Sequence, residues 1–469
     1  MTQRHVSRRR LVPRALAIAL VAALGLAGAA TAHAEDLMGA YRQALQSDPV
    51  LKQAEAQSRI GEAGADISRS ALLPQINGQV SFNDSHGVSS GTQVVYDNNG
   101  NPTLEDTTVH TGGRSRTESV GLTQVLFDLG RFSDWRAGKA SAKAAEAQYA
   151  AAEQDLILRV AQAYFTVLSD EENLRFAEAN EKALQKQLDQ AQAKYDVGFA
   201  AITDVVDAKA QHDTAVASVI SAKNQVFNDR QALAQITGQP ASALDPLRDK
   251  LPMAPPQPND MQAWVTTALA SNPSLQAQRD QREAAQHDVT SAYAGHLPTL
   301  DASVSYSRNP QWDSLGFGAG QPHGDSRSSG TTVGLVLSVP LFAGGGIHAR
   351  VKQAIAQRDQ ASDVLEQDRR TVVSNTRSAF NAIEAGISSV EAQRQAVLSA
   401  KTALDATQAG YQIGTRTIVD LLIAQQNYFQ AQSAYSQARH ALVVNQLNLK
   451  YSAGTLSVKD LQAVNALLQ

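Results

Sequence analysis

Tyr195-Asp196-Val197-Gly198 and its later echo, Tyr411-Gln412-Ile413-Gly414, each close a very long stretch rich in Ala and Gln, and the fold follows from them. The stretches cover roughly residues 131–195 and 347–411. Apolar side chains step through them by three and four: Leu156, Val160, Ala163 and Val167 in one, Phe380, Ile383, Ile387 and Val390 in the other. That step is the coiled-coil seam of a helix. At 1.5 Å per residue, about 65 residues reach about 100 Å. Past each glycine a second long helix is expected to run back, to about Ile236 and Tyr451.

Working outward, the whole chain proves to be two copies of one plan. Gly238 matches Gly454 at the same spacing, and Leu126-Phe127 matches Leu341-Phe342 at almost the same one. Asp48-Pro49-Val50-Leu51 is echoed by Asn272-Pro273-Ser274-Leu275, and Leu73-Pro74 by Leu297-Pro298, both at a common, slightly longer spacing. Length variation between the copies is therefore confined to the stretch between Pro74 and Phe127. Internal repetition of this kind marks a duplicated structural unit. Residues 239–260 carry Pro240, Pro246, Pro252, Pro255, Pro256 and Pro258, the composition of a linker. The expected organisation is a first repeat over 35–238, a linker over 239–260 and a second repeat over 261–469.

Each copy opens with a helix (about 37–71 and 261–296) that stops before its Leu-Pro pair, since the residue before proline disfavours helix. Period-two segments follow. Ile76, Val80 and Phe82 alternate with Gln75, Asn77, Gln79 and Ser81, and Leu300, Ala302, Val304 and Tyr306 alternate with Asp301, Ser303 and Ser305. Val333, Leu335, Leu337 and Val339 form a third such strand, and a less regular one lies around 119–127. Polar, glycine-rich loops are expected between them, over 84–116 and 309–328.

Positions 1–34 read as a secretory leader: Arg4, Arg8, Arg9, Arg10 and Arg14, an apolar run to Ala30, then Ala32-His33-Ala34 before Glu35. Of 41 basic residues, the leader's five leave 36 against 45 acids, a net charge near −9 that excludes a nucleic-acid binder. With no cysteine there is no disulfide, no thiolate metal site and no acylated lipoprotein anchor. After the leader no apolar run is long enough to span a bilayer as a helix, so any membrane entry is by strands. Four strands cannot close a barrel; two chains would make eight and three would make twelve. The polar alternate face favours a water-filled lumen, with a soluble periplasmic coiled-coil adaptor carrying a small β domain as the rival reading.

Gly414-Thr415-Arg416-Thr417-Ile418-Val419-Asp420-Leu421-Leu422 resembles the signature of the TolC family of outer-membrane channel proteins. So do Asn445-Gln446-Leu447-Asn448-Leu449-Lys450 with Ala453-Gly454-Thr455-Leu456 and, in the first copy, Ala201-Ile202-Thr203-Asp204-Val205 and Gln235-Ile236-Thr237-Gly238. The resemblance implies a mixed α and β membrane protein: a homotrimer with a twelve-stranded barrel in outer-membrane lipid, continued by a periplasmic barrel of antiparallel coiled coils. It also implies docking to a periplasmic adaptor and an inner-membrane ABC or proton-driven pump, for type I protein secretion or multidrug efflux. A drug or metal channel of narrower specificity remains the alternative within that class. By the same resemblance, Thr203, Asp204, Tyr411 and Arg416 are the gate that closes the periplasmic end. Each lies close to Gly198 or Gly414, and a guanidinium fork suits a carboxylate such as Asp204. Asp420 is expected to form one acidic ring in the pore, with Ile423 standing where a second would lie.

Other chemistry is absent from the sequence. The ten histidines include no pair at i, i+3 or i+4, and His86, His110 and His323 fall in the expected outer loops. Gly344-Gly345-Gly346 has no Lys-Ser/Thr after it, so it is no phosphate cradle. No catalytic residue, metal site or cofactor is expected. Phe82, Phe127, Trp135, Tyr306 and Phe342 are candidates for an interfacial aromatic belt.

Overall fold

The structure, a computed structural model, describes residues 35–241, 243–249, 251–314 and 324–469; the leader and His323 lie outside the described residues, as does the side chain of His110. The first copy runs α1 (Leu37–Ser47), α2 (Pro49–Ser70), β1 (Gln75–Tyr96), β2 (Pro102–Phe127), α3 (Leu129–Asp196) and α4 (Ile202–Thr237). The second runs α5 (Met261–Ser271), α6 (Pro273–Ala294), β3 (Thr299–Ser314), β4 (Gly324–Ser338), α7 (Gly346–Gln412) and α8 (Ile418–Ser452), followed by a short α9 (Val458–Asn465).

Capping side chains set the starts. Asp48 accepts from Leu51 N at 2.7 Å and Asn272 from Leu275 N at 3.1 Å, each followed by a proline in the first turn, where its missing N–H costs nothing. The same prolines correct the sequence reading of one opening helix per copy. Asp48 and Asn272 are driven to ψ 120° and 119°, outside the helical region, so each helix divides in two. The ends are set by glycine. Gly198, Gly238, Gly414 and Gly454 have φ of 81°, 72°, 81° and 71°, a left-handed conformation that side chains resist.

The four strands form one antiparallel sheet in the order β1-β2-β3-β4. They run far into the expected loops, with Asp84 opposite Arg114, His86 opposite Gly112 and Tyr96 opposite Pro102. Backbone hydrogen bonds carry this extension, and they leave no hydrophobic alternation for a sequence reading to find. The turn that remains is closed by Asp97, whose carboxylate accepts from Asn99 N and Asn101 N at 2.8 Å each.

The register puts Ile76, Leu122, Val304 and Val333 on one face of the sheet, and Gln75, Thr123, Ser303 and Gly334 on the other. The apolar face is open, with Val333 75% and Leu335 70% exposed. The outer edges of β1 and β4 have no partner strand among the described residues. No described helix is long and apolar enough to cross a membrane.

The 239–260 segment is more than a spacer. Leu244 and Leu247 are buried, and Leu247 bridges to Leu468. They join a core of α1, α3, the end of α4, α8 and α9, centred on buried Leu37, Leu156, Tyr164, Leu233 and Leu461. The Tyr164 hydroxyl donates to Glu35 O at 2.8 Å, tying the start of the described chain to this waist. A second core repeats the arrangement with Trp264, Phe380, Ile383, Leu442 and Leu449.

Candidate gate at the helix tips

The two hairpin tips, α3–α4 and α7–α8, are built alike. At the first, Gly198 N donates to Tyr195 O and Phe199 N to Lys194 O; at the second, Gly414 N donates to Tyr411 O and Thr415 N to Gly410 O. Behind the turns, Leu184, Ala191, Val205, Ala208 and Ala215 of the first hairpin pack with Ile418 and Leu422 of the second, and Tyr411 lies against the same cluster. Both tips thus share one small apolar core in which alanines let the backbones approach.

Tyr411 is half-buried there, with the Lys194 ammonium 4.2 Å from its ring centroid. This contact links the last turn of α3 to that of α7 and is a strong cation–π geometry. Nothing in the sequence pointed to Lys194, because the two residues belong to different copies of the repeat and no local pattern couples them.

The remaining gate candidates are placed apart within one chain. Thr203 and Arg416 are exposed and Asp204 is half-buried. Among the described residues no hydrogen bond or ion pair joins Thr203 or Asp204 to Tyr411 or Arg416. The reason is the direction of Arg416. Its stem lies over Gly410, where an added methyl would meet Arg416 Cγ at 2.8 Å. From there it enters a groove of about 470 Å³ between α7 and α8, shared with Ser399, Thr407, Asp420, Ile423 and Asn427.

Asp420 has a local task. Its Oδ2 accepts from Thr417 N at 3.0 Å and from the Thr417 hydroxyl at 2.9 Å, while Asp420 N donates to Thr417 Oγ1 at 3.2 Å. This is a reciprocal capping box at the start of α8. The Thr417 N–H and hydroxyl, with Arg416 nearby, hold the carboxyl below the usual carboxylate range, so it is charged at neutral pH. Its counterpart in the first copy is Asp204, but the N-cap of α4 is Ala201 and offers no side-chain bond. One of the two equivalent carboxylates is therefore committed to its own helix, and the other is available to a neighbour.

A family model described as outer membrane efflux protein matches residues 40–239 and 264–455, one segment in each copy. The chain is 38% identical over 450 residues to outer membrane protein TolC of Escherichia coli (strain K12), covering 94% of this chain and 87% of that protein. It is 28% identical over 437 residues to the alkaline protease secretion protein AprF of Pseudomonas aeruginosa, covering 93% and 88%. Its fold is similar to the Campylobacter jejuni CmeC outer membrane channel, with a TM-score of 0.73 at 19% identity, covering 93% of this chain and 90% of that one. The Vibrio cholerae outer membrane protein VceC is similar at a TM-score of 0.72 and 21% identity, covering 89% and 96%. The duplicated plan, the amphipathic sheet and the paired long helices are thus accounted for together: the chain belongs to the outer membrane efflux protein family, and it is an exit duct of the outer membrane.

Proposed function

We propose that three copies close into a twelve-stranded barrel continued by a tunnel of α3, α4, α7 and α8, and that the tunnel is shut at the hairpin tips by Thr203, Asp204, Tyr411 and Arg416, with Lys194 as a fifth member. The observation that carries the reading is a sheet with one apolar face and, among the described residues, two unpaired edges, leading into helices of 68 and 67 residues, about 100 Å long. In lipid such edges must pair, and only other copies of the sheet supply the partners. Arg416 and Asp204, unpaired with each other within one chain, then meet across protomers. Each such exposed tie is worth about 0.2–1 kcal/mol, so a docking adaptor opens the tips with modest binding energy.

On this reading the duct is passive. It has no catalytic cycle, a cleaved leader exports it, and a periplasmic adaptor and an inner-membrane pump supply selection and energy. The likeness to a protease secretion protein supports export of proteins, and membership of the efflux family supports efflux as well. The test is single-channel conductance in a planar bilayer for the wild type and for Tyr411→Phe combined with Arg416→Ser. A small wild-type current that rises several-fold in the double variant is expected. An unchanged large current would place the gate elsewhere, and no current from either protein would remove the duct.

A further inference from the structure

The apolar face of the sheet changes character along its height. Starting at the helices it presents Leu300, Val304 and Tyr306 on β3, Leu337, Leu335 and Val333 on β4, and Leu122 and Val120 on β2. Further along, the same alternation presents Arg308, Arg116 and Arg327. Arg308 stands opposite Glu118 on one side and Ser329 on the other; Arg327 stands opposite Pro310, two residues beyond Arg308. Arg116, next to the Ser115–Gln311 pair, comes from the other flanking strand to the level of Pro310. Three guanidiniums from three adjacent strands therefore surround Pro310.

Their charge is only partly matched. Glu118 serves two of them, Arg116 at 2.6 Å and Arg308 at 3.9 Å. The Arg116 guanidinium lies 6.0 Å over the Phe82 ring, and its buried Nε has no hydrogen-bond partner. Arg327 is exposed and has no ion pair among the described residues. The other carboxylates on this face are Asp84, held by Arg114 at 3.3 Å and His86 at 3.1 Å; Asp106, further up the β1–β2 hairpin, which accepts from the Thr92 hydroxyl at 2.6 Å; and Asp325, two residues beyond Arg327.

The height of the cluster identifies its partner. Arg116 is eleven residues along β2 from Phe127, and Arg308 eight residues along β3 from Leu300. At about 3.3 Å per residue and a tilt of about 40°, these are axial rises of about 28 and 20 Å. The apolar thickness of an outer membrane lies in the same range. With the helices in the periplasm, the arginines enter the headgroup layer of the outer leaflet, level with Phe82, which pairs with Arg116, and just above Tyr306.

We propose that Arg116, Arg308 and Arg327 bind a phosphomonoester group of an outer-leaflet lipid, whose second charge and extra free oxygen set it apart from the phosphodiester of ordinary phospholipids and whose acyl chains lie on the apolar band below. The planar fork of arginine matches two phosphate oxygens at once, and the interfacial position strips away part of the competing water. This rests on the reading that the apolar face meets lipid.

The test uses the purified trimer in phosphatidylethanolamine nanodiscs, with bisphosphorylated lipid A or its dephosphorylated form added, and native mass spectrometry of the lipids retained. The wild type is expected to retain the phosphorylated form about ten-fold better, the size of a lost set of charge-assisted bonds. Arg116→Gln/Arg308→Gln/Arg327→Gln should lose that preference, and Arg327→Gln alone, at an exposed position, should weaken it without a folding cost. Inorganic phosphate at millimolar concentration should not displace the lipid. Equal retention of both forms by a conducting wild-type protein would overturn the site. Failure of the wild type to insert or conduct would overturn the membrane reading beneath it.

Discussion

Arg159 offers the sharpest test of how the waist is held. Asp48 is 2% exposed yet carries a charge, and Arg159 meets it through two hydrogen bonds, at 2.8 and 3.2 Å. Burial pushes the Asp48 carboxyl up, but the Arg159 hydrogen bonds, the Leu51 N–H and the Arg159 charge together bring it below the usual carboxylate range. Arg159→Leu removes that compensation and leaves a buried carboxylate, a loss of about 3–5 kcal/mol. The second copy shows a neutral solution in the same place: Asn272 caps α6 and donates to Ser452 O at 3.2 Å, and Asn375, the counterpart of Arg159, lines the same cleft. Asp48→Asn combined with Arg159→Asn imitates it and should cost far less than Arg159→Leu. Urea unfolding in detergent, followed by circular dichroism at one protein concentration, ranks the three proteins; the concentration is held because trimer formation moves the midpoint. The sign with pH is also set. A depressed carboxyl stabilises above its unfolded value of about 3.9 and loses that contribution as pH falls through the folded value, so the gap to Arg159→Leu should narrow below about pH 4. Wild-type stability in Arg159→Leu, or a double variant as unstable as the single one, would refute the reasoning.

Three further outcomes are expected. Lys194→Gln removes a tie of about 0.5–1 kcal/mol between the tips, so the closed state should lose about two- to five-fold per protomer and mean conductance should rise, while Lys194→Arg should not change it; equal conductance in all three would remove Lys194 from the gate. Asp420→Asn keeps an acceptor for Thr417 but discharges the proposed ring, so block by a trivalent cation should weaken at neutral pH; if block is undiminished, the ring is not at Asp420. The Asp170 carboxyl is pushed up to about 6 by burial and then by Asp229. A raised carboxyl stabilises below its unfolded value and loses that contribution as pH rises through the folded value, so Asp170→Asn should gain roughly 1 kcal/mol at pH 7.5, after discounting for solvent screening, and nothing below about pH 4; a gain independent of pH in urea titrations would contradict this.

The parts of this molecule that depend on neighbours a few residues away were legible in the sequence alone. Asp48-Pro49 and Asn272-Pro273 start helices through contacts three residues long, and Gly198 and Gly414 end them by a backbone conformation that glycine adopts without strain. The alternation of Leu300 to Tyr306, the step of Leu156 to Val167 and the duplication are also one-dimensional patterns, and they pointed to strands and paired long helices; the family followed from the resemblance carried by motifs such as Gly414 to Leu422. Strand length was not legible, because the outer hairpin is held by backbone bonds between polar and glycine residues that carry no periodic signal. Neither was the burial of the proline-rich segment, whose Leu244 and Leu247 find their partners on α1 and near the last residues of the chain. The gate shows the division most clearly. The family resemblance named Thr203, Asp204, Tyr411 and Arg416, with their nearness to two glycines in support, and Asp420 followed from its place one turn beyond Arg416. The Thr417–Asp420 capping box is local and was open to a sequence reading, but only the packing of two hairpins decided that Tyr411 meets Lys194 and that Arg416 turns into the α7–α8 groove. Those choices depend on side chains brought together from distant positions, where the energy lies in close contact rather than in any local preference.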